Sequence, residues 1–298
     1  MSDQPMARTE AATLYDVRYS RYAGARESRL RSVLALTRSS ATRALGLRRT
    51  TGAKVWPFLL VAAAHLPVIA AVGVPLLFDG APDPLEIMPL AQLPVFTISV
   101  TIAFAATTIP SLLTRERRDR VLSLYFSTAL SPWEYLAGKV LAAIALMSLV
   151  TVAPLVLLVL GSIATSETPL DALRDDGSGI LLVLLGGLVI ASWFAALGLI
   201  AGALTAKRIF AIGGLLAVLL VTPIVFNLLG ELTDSDGLRV GDLATTPLRA
   251  ADGPLPGESS FADEGGNPAT GLVWTMVGGV LVLAGAVLSY RYTHEDAA

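Results

Sequence analysis

Apolar runs of membrane-crossing length alternate with short polar connections along this chain. Six such runs cover residues 55–78, 90–113, 140–164, 180–206, 209–230 and 271–290. A helix rises about 1.5 Å per residue, so roughly 20 apolar residues cross the hydrocarbon core of a bilayer. The pattern predicts an all-α integral membrane protein with six transmembrane helices. Only Lys207 and Arg208 separate the fourth and fifth runs. One continuous helix there would overshoot a single bilayer, so a tight turn is expected.

The polar segments carry patterns of their own. In residues 25–54, Leu30, Val33, Leu34, Thr37, Ala41 and Leu45 recur at helical spacing, with arginines on the remaining faces. That is the signature of a basic amphipathic helix lying in the membrane interface. Residues 1–24 are read as a disordered tail, and 291–298 as a short closing tail. The first 54 residues hold no apolar core, so they read as a retained segment and not as a signal peptide. Between the second and third runs the chain reads TRERRDRVLSLYFSTALSPWEYLAGK, residues 114–139. Its charged start, Arg115 to Arg120, gives way to an apolar end at Leu122 to Phe126. Glu116 and Arg120 stand four apart, in the favourable order for a helical ion pair. A short helix over about 114–126 is predicted. Ser131-Pro-Trp-Glu134 then forms a capping-box start for the third span. A loop that merely reversed the chain would need no such helix, whereas a docking element would. Residues 231–270 are rich in Gly, Pro, Asp and Ser. They read as a long loop too polar for a core of its own, either a cap over an exit path or a linker.

Composition strengthens the membrane reading. Of 298 residues, 54% are hydrophobic and only 15% charged, against about a quarter charged in soluble domains. The net charge of −2 argues against a nucleic-acid partner. With no cysteine and two histidines, the chain offers no disulfide, thiolate metal site or His-rich metal site. Charge also orients the spans. Nineteen of the 22 lysines and arginines fall on one side of the six-span layout, leaving Arg174, Arg239 and Arg249 on the other. Positive loops stay cytoplasmic. Both termini are therefore expected in the cytoplasm of a multi-pass protein of the inner or plasma membrane, with 231–270 outside.

The predicted spans contain no Asp, Glu, Lys or Arg, and His65 is their one titratable histidine. Ion-driven transporters use buried carboxylates or broken ion-binding helices, and membrane enzymes need a nucleophile, an acid–base pair or a metal. No catalytic residue and no metal site is therefore assigned. His65, the hydroxyls Thr97 and Thr101 of the second span, and Asn227 of the fifth are the candidates for a substrate path. For His65 a plain hydrogen bond to a neighbouring carbonyl is the competing role, and for the threonines helix packing is. Gly198-Leu-Ile-Ala-Gly202 has the spacing of a close helix approach.

The 114–139 segment resembles the stretch after the second span in type-2 ABC transporter permeases. Arg115-Glu116, Leu122, Leu124, Ser127-Thr128, Leu130-Ser131, Glu134 and Gly138-Lys139 carry the resemblance. Asp119-Arg120 replaces the usual Gly-Thr. The resemblance implies a permease subunit of an ATP-driven exporter. Its substrate pathway would be completed by a second permease chain, identical or homologous. ATP and Mg would sit on a separate ABC ATPase subunit, because Gly138-Lys139 lacks the rest of a phosphate-binding loop. The same resemblance makes the 114–126 helix the coupling contact with the ATPase, through Arg115, Glu116, Arg117, Arg118, Asp119, Arg120, Leu122 and Tyr125. A non-transporting membrane anchor or degenerate permease is the alternative.

Overall fold

The computed structural model describes residues 28–47, 51–78, 80–118, 131–166, 177–255, 260–261 and 267–294. All regular structure among these is helical. The predicted tail 1–24 and the whole apolar end of the 114–126 segment lie outside the described residues.

The apolar runs become helices close to their expected limits. The first run is α2 (Thr51–Leu77), which follows the N-terminal helix α1 (Arg29–Ala44). A short α3 (Pro84–Ile87) leads into the second run. That run is broken into α4 (Gln92–Phe96), α5 (Ile98–Thr108) and α6 (Ser111–Arg118). The α5–α6 break falls at Pro110, whose missing N–H removes a helical hydrogen bond. The third run is α7 (Pro132–Ser148) and α8 (Val152–Thr165), bent by 42° between them. Pro154 in the first turn of α8 has the same effect there. The fourth and fifth runs are α9 (Gly177–Leu204) and α10 (Arg208–Thr233), parted by a three-residue turn, as the lysine–arginine pair suggests. The last run ends the described chain as α12 (Thr270–His294). Five helices are long and apolar enough to cross a membrane, or six if the bent α7–α8 pair is counted as one span.

Helix α9 is the centre of the bundle. It is apolar on every side; residues 189–203 are covered on all faces, whereas Leu181, Leu182, Leu184, Leu185 and Leu188 in its first half stay exposed, and the helix packs against α5 to α8, α10 and α12. Gly198 and Gly202 explain one of these contacts. A methyl group at Gly198 would lie 2.6 Å from Ile109 Cβ, and one at Gly202 2.9 Å from the Pro110 carbonyl. The glycine pair thus receives the break in the second span.

Two sequence expectations change. The inward face of α1 is Val33, Leu36 and Ser40, which pack toward α7; Leu30 and Leu34 stay 69% and 52% exposed. Leu36 is drawn in because Gly138 leaves room, its Cδ2 lying 2.9 Å from where a Cβ would be. Thr37 Oγ1 adds a hydrogen bond to the Gly138 carbonyl, 3.2 Å. The second change concerns 231–270. Its described part is packed and not a floppy linker. A 3-10 turn (Asp236–Gly241) and α11 (Thr246–Asp252) pack into the bundle against α9, α10 and α12, burying Val240, Ala244, Leu248, Ala251 and Leu255.

Candidate functional site

The charged stretch at the end of α6 turns one residue inward. Glu116 is only 6% exposed and Lys139, on α7, only 2%. Lys139 Nζ donates to Glu116 Oε1 at 2.6 Å, and the Tyr135 hydroxyl donates to Glu116 Oε2 at 2.5 Å. Lys139 also donates to Ser40 Oγ on α1 at 3.1 Å. Arg43 Nη1, again on α1, lies 3.8 Å from Glu116 Oε1. The Tyr135 ring packs on Tyr292 of the last helix, centroids 5.6 Å apart. One carboxylate therefore joins four elements: the N-terminal helix, the end of the second span, the start of the third and the end of the sixth. Charges are tolerated at such depth because each one is paired and hydrogen-bonded.

The local sequence sets this geometry. Ser131 caps α7 by accepting from the Glu134 amide at 3.3 Å, while Glu134 Oε2 accepts from the Ser131 amide at 2.8 Å, the capping box expected of Ser-Pro-Trp-Glu. The capped start fixes the rotation of α7, and Tyr135 and Lys139, four residues apart, then share the face turned to Glu116.

The eight residues assigned to coupling divide. Arg115 and Arg118 are exposed, and Glu116 is buried among Lys139, Tyr135 and Arg43. Only the backbone is described for Arg117, and Asp119, Arg120, Leu122 and Tyr125 lie outside the described residues. Glu116 pairs with Lys139, and Arg120, the partner expected from spacing, is among the residues not described.

The candidate path residues are spread over three places. His65 Nδ1 lies 2.8 Å from the Val61 carbonyl of its own helix. Thr97 and Thr101 donate to the Leu93 and Thr97 carbonyls at 2.9 and 3.1 Å and border a void of only about 10 Å³. Asn227 Nδ2 donates to the Pro223 carbonyl at 2.8 Å and to Asp242 Oδ2 at 3.1 Å. Asp242 was not singled out from sequence. It is 1% exposed, and its carboxylate also accepts from the Ala244 and Thr245 amides and the Thr245 hydroxyl. Trp193 Nε1 donates to the Leu243 carbonyl at 2.9 Å, and the Leu243 amide donates to Thr222 Oγ1 at 3.3 Å. Trp193 stands about 24 Å along α9 from Gly177, so the 242–246 turn reaches well into the bundle. Non-helical backbone at that depth is stable only when protein satisfies it, and Trp193 and Thr222 do so at Leu243.

A wide cavity opens beside the Glu116 node, with a volume of about 1480 Å³. It lies between the starts of α2 and α10, both of which pack on α5. Lys139, Arg43, Arg115, Arg118, Lys207 and Arg208 line it.

No curated protein matches the chain. A family model described as ABC-2 family transporter protein matches residues 90–237. The match begins at the broken second span, contains Glu116 and Lys139, and ends within the 3-10 turn. With five or six apolar spans and this match over residues 90–237, the chain belongs to the ABC-2 family of transporter proteins, as a multi-pass membrane subunit.

Proposed function

We propose that the chain is the permease subunit of an ATP-driven exporter, with residues 55–290 as the permease domain. It forms half of a substrate pathway completed by a second permease chain, identical or homologous. ATP and Mg act on a separate ABC ATPase. The 114–126 segment is the coupling helix that meets this ATPase, and α1 lies in the cytoplasmic interface with Leu30 and Leu34 toward lipid. The basic end of the bundle, with both termini, faces the cytoplasm.

The observation that carries the reading is the Glu116 node. A docking helix transmits motion only if its root is rigidly tied to the spans. Glu116 ties the root of the 114–126 segment to α1, α7 and, through Tyr135, to Tyr292 of α12. A push on this segment therefore reaches three other elements through hydrogen-bonded, tightly packed groups.

The test uses the apolar end of the segment, leaving the node intact. Leu122→Asp with Tyr125→Asp is expected to insert normally yet lose co-purification with the partner ABC ATPase, together with ATP-dependent transport. Mass measurement of the wild-type particle is expected to give two permeases and two ATPases. An active particle with a single permease chain, or a variant that still assembles and transports at wild-type rates, overturns the proposal.

A further inference from the structure

We infer that the 1480 Å³ cavity at the basic end is a binding site for an anionic amphiphile, a phosphate-bearing lipid headgroup with its acyl chain. Four observations lead there. First, the described lining holds six cationic side chains and one carboxylate, and that carboxylate, Glu116, is already paired with Lys139. Basic pockets between membrane helices suit phosphorylated headgroups. Second, the floor contains a buried hydroxyl with nothing to bond. Thr108 is 2% exposed, and its Oγ1 has no hydrogen-bond partner among the described residues. Thr107 beside it is satisfied, its carbonyl accepting from Arg208 Nη2 at 3.1 Å. Third, one rim is apolar and faces outward. Trp56 on α2 and Ile209 and Phe210 on α10 are exposed, and these are the two spans least buried by the rest of the chain. Lys207 Nζ sits 5.6 Å from the Phe210 ring, so charge and apolar surface meet at one point. Fourth, the volume is far above that of a free phosphate and exceeds the roughly 300–1,000 Å³ of common small-molecule pockets. The headgroup sits among Arg118, Lys207 and Arg208, and the chain leaves over Trp56 and Phe210. The inference needs neither an ATPase partner nor a known orientation.

Trp56 supplies the readout. The full chain is reconstituted in vesicles of phosphatidylcholine containing dibrominated phosphatidylglycerol or dibrominated phosphatidylcholine. The part of the tryptophan quenching that disappears in Trp56→Phe reports this cavity. Phosphatidylglycerol is expected to quench it at lower mole fraction. Lys207→Gln with Arg208→Gln, and separately Arg118→Gln on the opposite wall, should each reduce that preference, by about fivefold per charge removed. Lys54→Gln, a cation at the same end that does not line the cavity, should leave it unchanged. Equal quenching by the two lipids overturns the site. So does a preference that survives both lining variants. Displacement of the lipid by millimolar inorganic phosphate also overturns it, since the site would then take a soluble anion.

Discussion

At the scale of the residue, Glu116 decides how the opening of the 114–139 segment is understood. Read alone, it belongs to a run of exposed charges, and reversing it would be expected to spare the fold. Its partners among the described residues are Lys139, 23 residues later, and Arg43 on another helix. No local spacing rule reaches that far; lysine at the head of the third span reads only as an orientation signal. What was legible was the capping box, because both its halves lie within four residues. Breaking one partner of a buried pair leaves the other charge uncompensated, at a cost of about 3–5 kcal/mol, while removing both is far milder. Glu116→Leu and Lys139→Met should therefore each lower the unfolding temperature of the detergent-purified protein sharply. The double variant should recover most of the loss. Additive losses would show that the two side chains do not act as a pair.

At the scale of the element, span positions were readable because the bilayer imposes length and apolarity directly on sequence. Faces were harder. In α1 the aliphatic residues wind around several sides, and a small feature of its partner, the absent Cβ of Gly138, selects Leu36 over Leu34. The packing of the 236–255 segment was hidden for a related reason. Its glycines and aspartates look like loop composition, yet its alanines and leucines complete the core of α9 and α12. Asp242 is tolerated at 1% exposure because four donors, three from Ala244 and Thr245 and one from Asn227, meet its carboxylate. A labelling footprint tests this packing. With an impermeant thiol reagent, a cysteine at the buried Ala251 should stay unmodified, and one at the exposed Gly253 should react. Equal reaction at both would mean that α11 lies on the surface.

At the scale of the whole molecule, the two ends of the bundle differ in charge. The turn between α9 and α10 carries Lys207 and Arg208, and the same end holds Arg43, Arg115, Arg118 and Lys139. The opposite end holds Asp83, which caps α3 and accepts from Ser162 Oγ of α8 at 3.0 Å, and the acidic start of the 231–270 segment. Lysine and arginine near span ends are retained in the cytoplasm during insertion, whereas acidic residues contribute little. Six spans with this bias should leave both termini inside and Ser235 outside. The bias rests on many residues spread over four segments, so no single substitution should invert it. Because the chain has no cysteine, each position can be probed alone. In intact cells, Ser235→Cys should react with an impermeant maleimide, and Ser2→Cys and Ala298→Cys should react only after the membrane is opened. An odd number of crossings would place the two termini on opposite sides and label one of them in intact cells. The α7–α8 pair is the element most able to produce that result, because a bend of 42° within one span is also the shape of a re-entrant loop. Labelling Ala298→Cys but not Ser2→Cys from outside would assign that bend to a loop that enters and leaves on one face, and the six-span topology would fall.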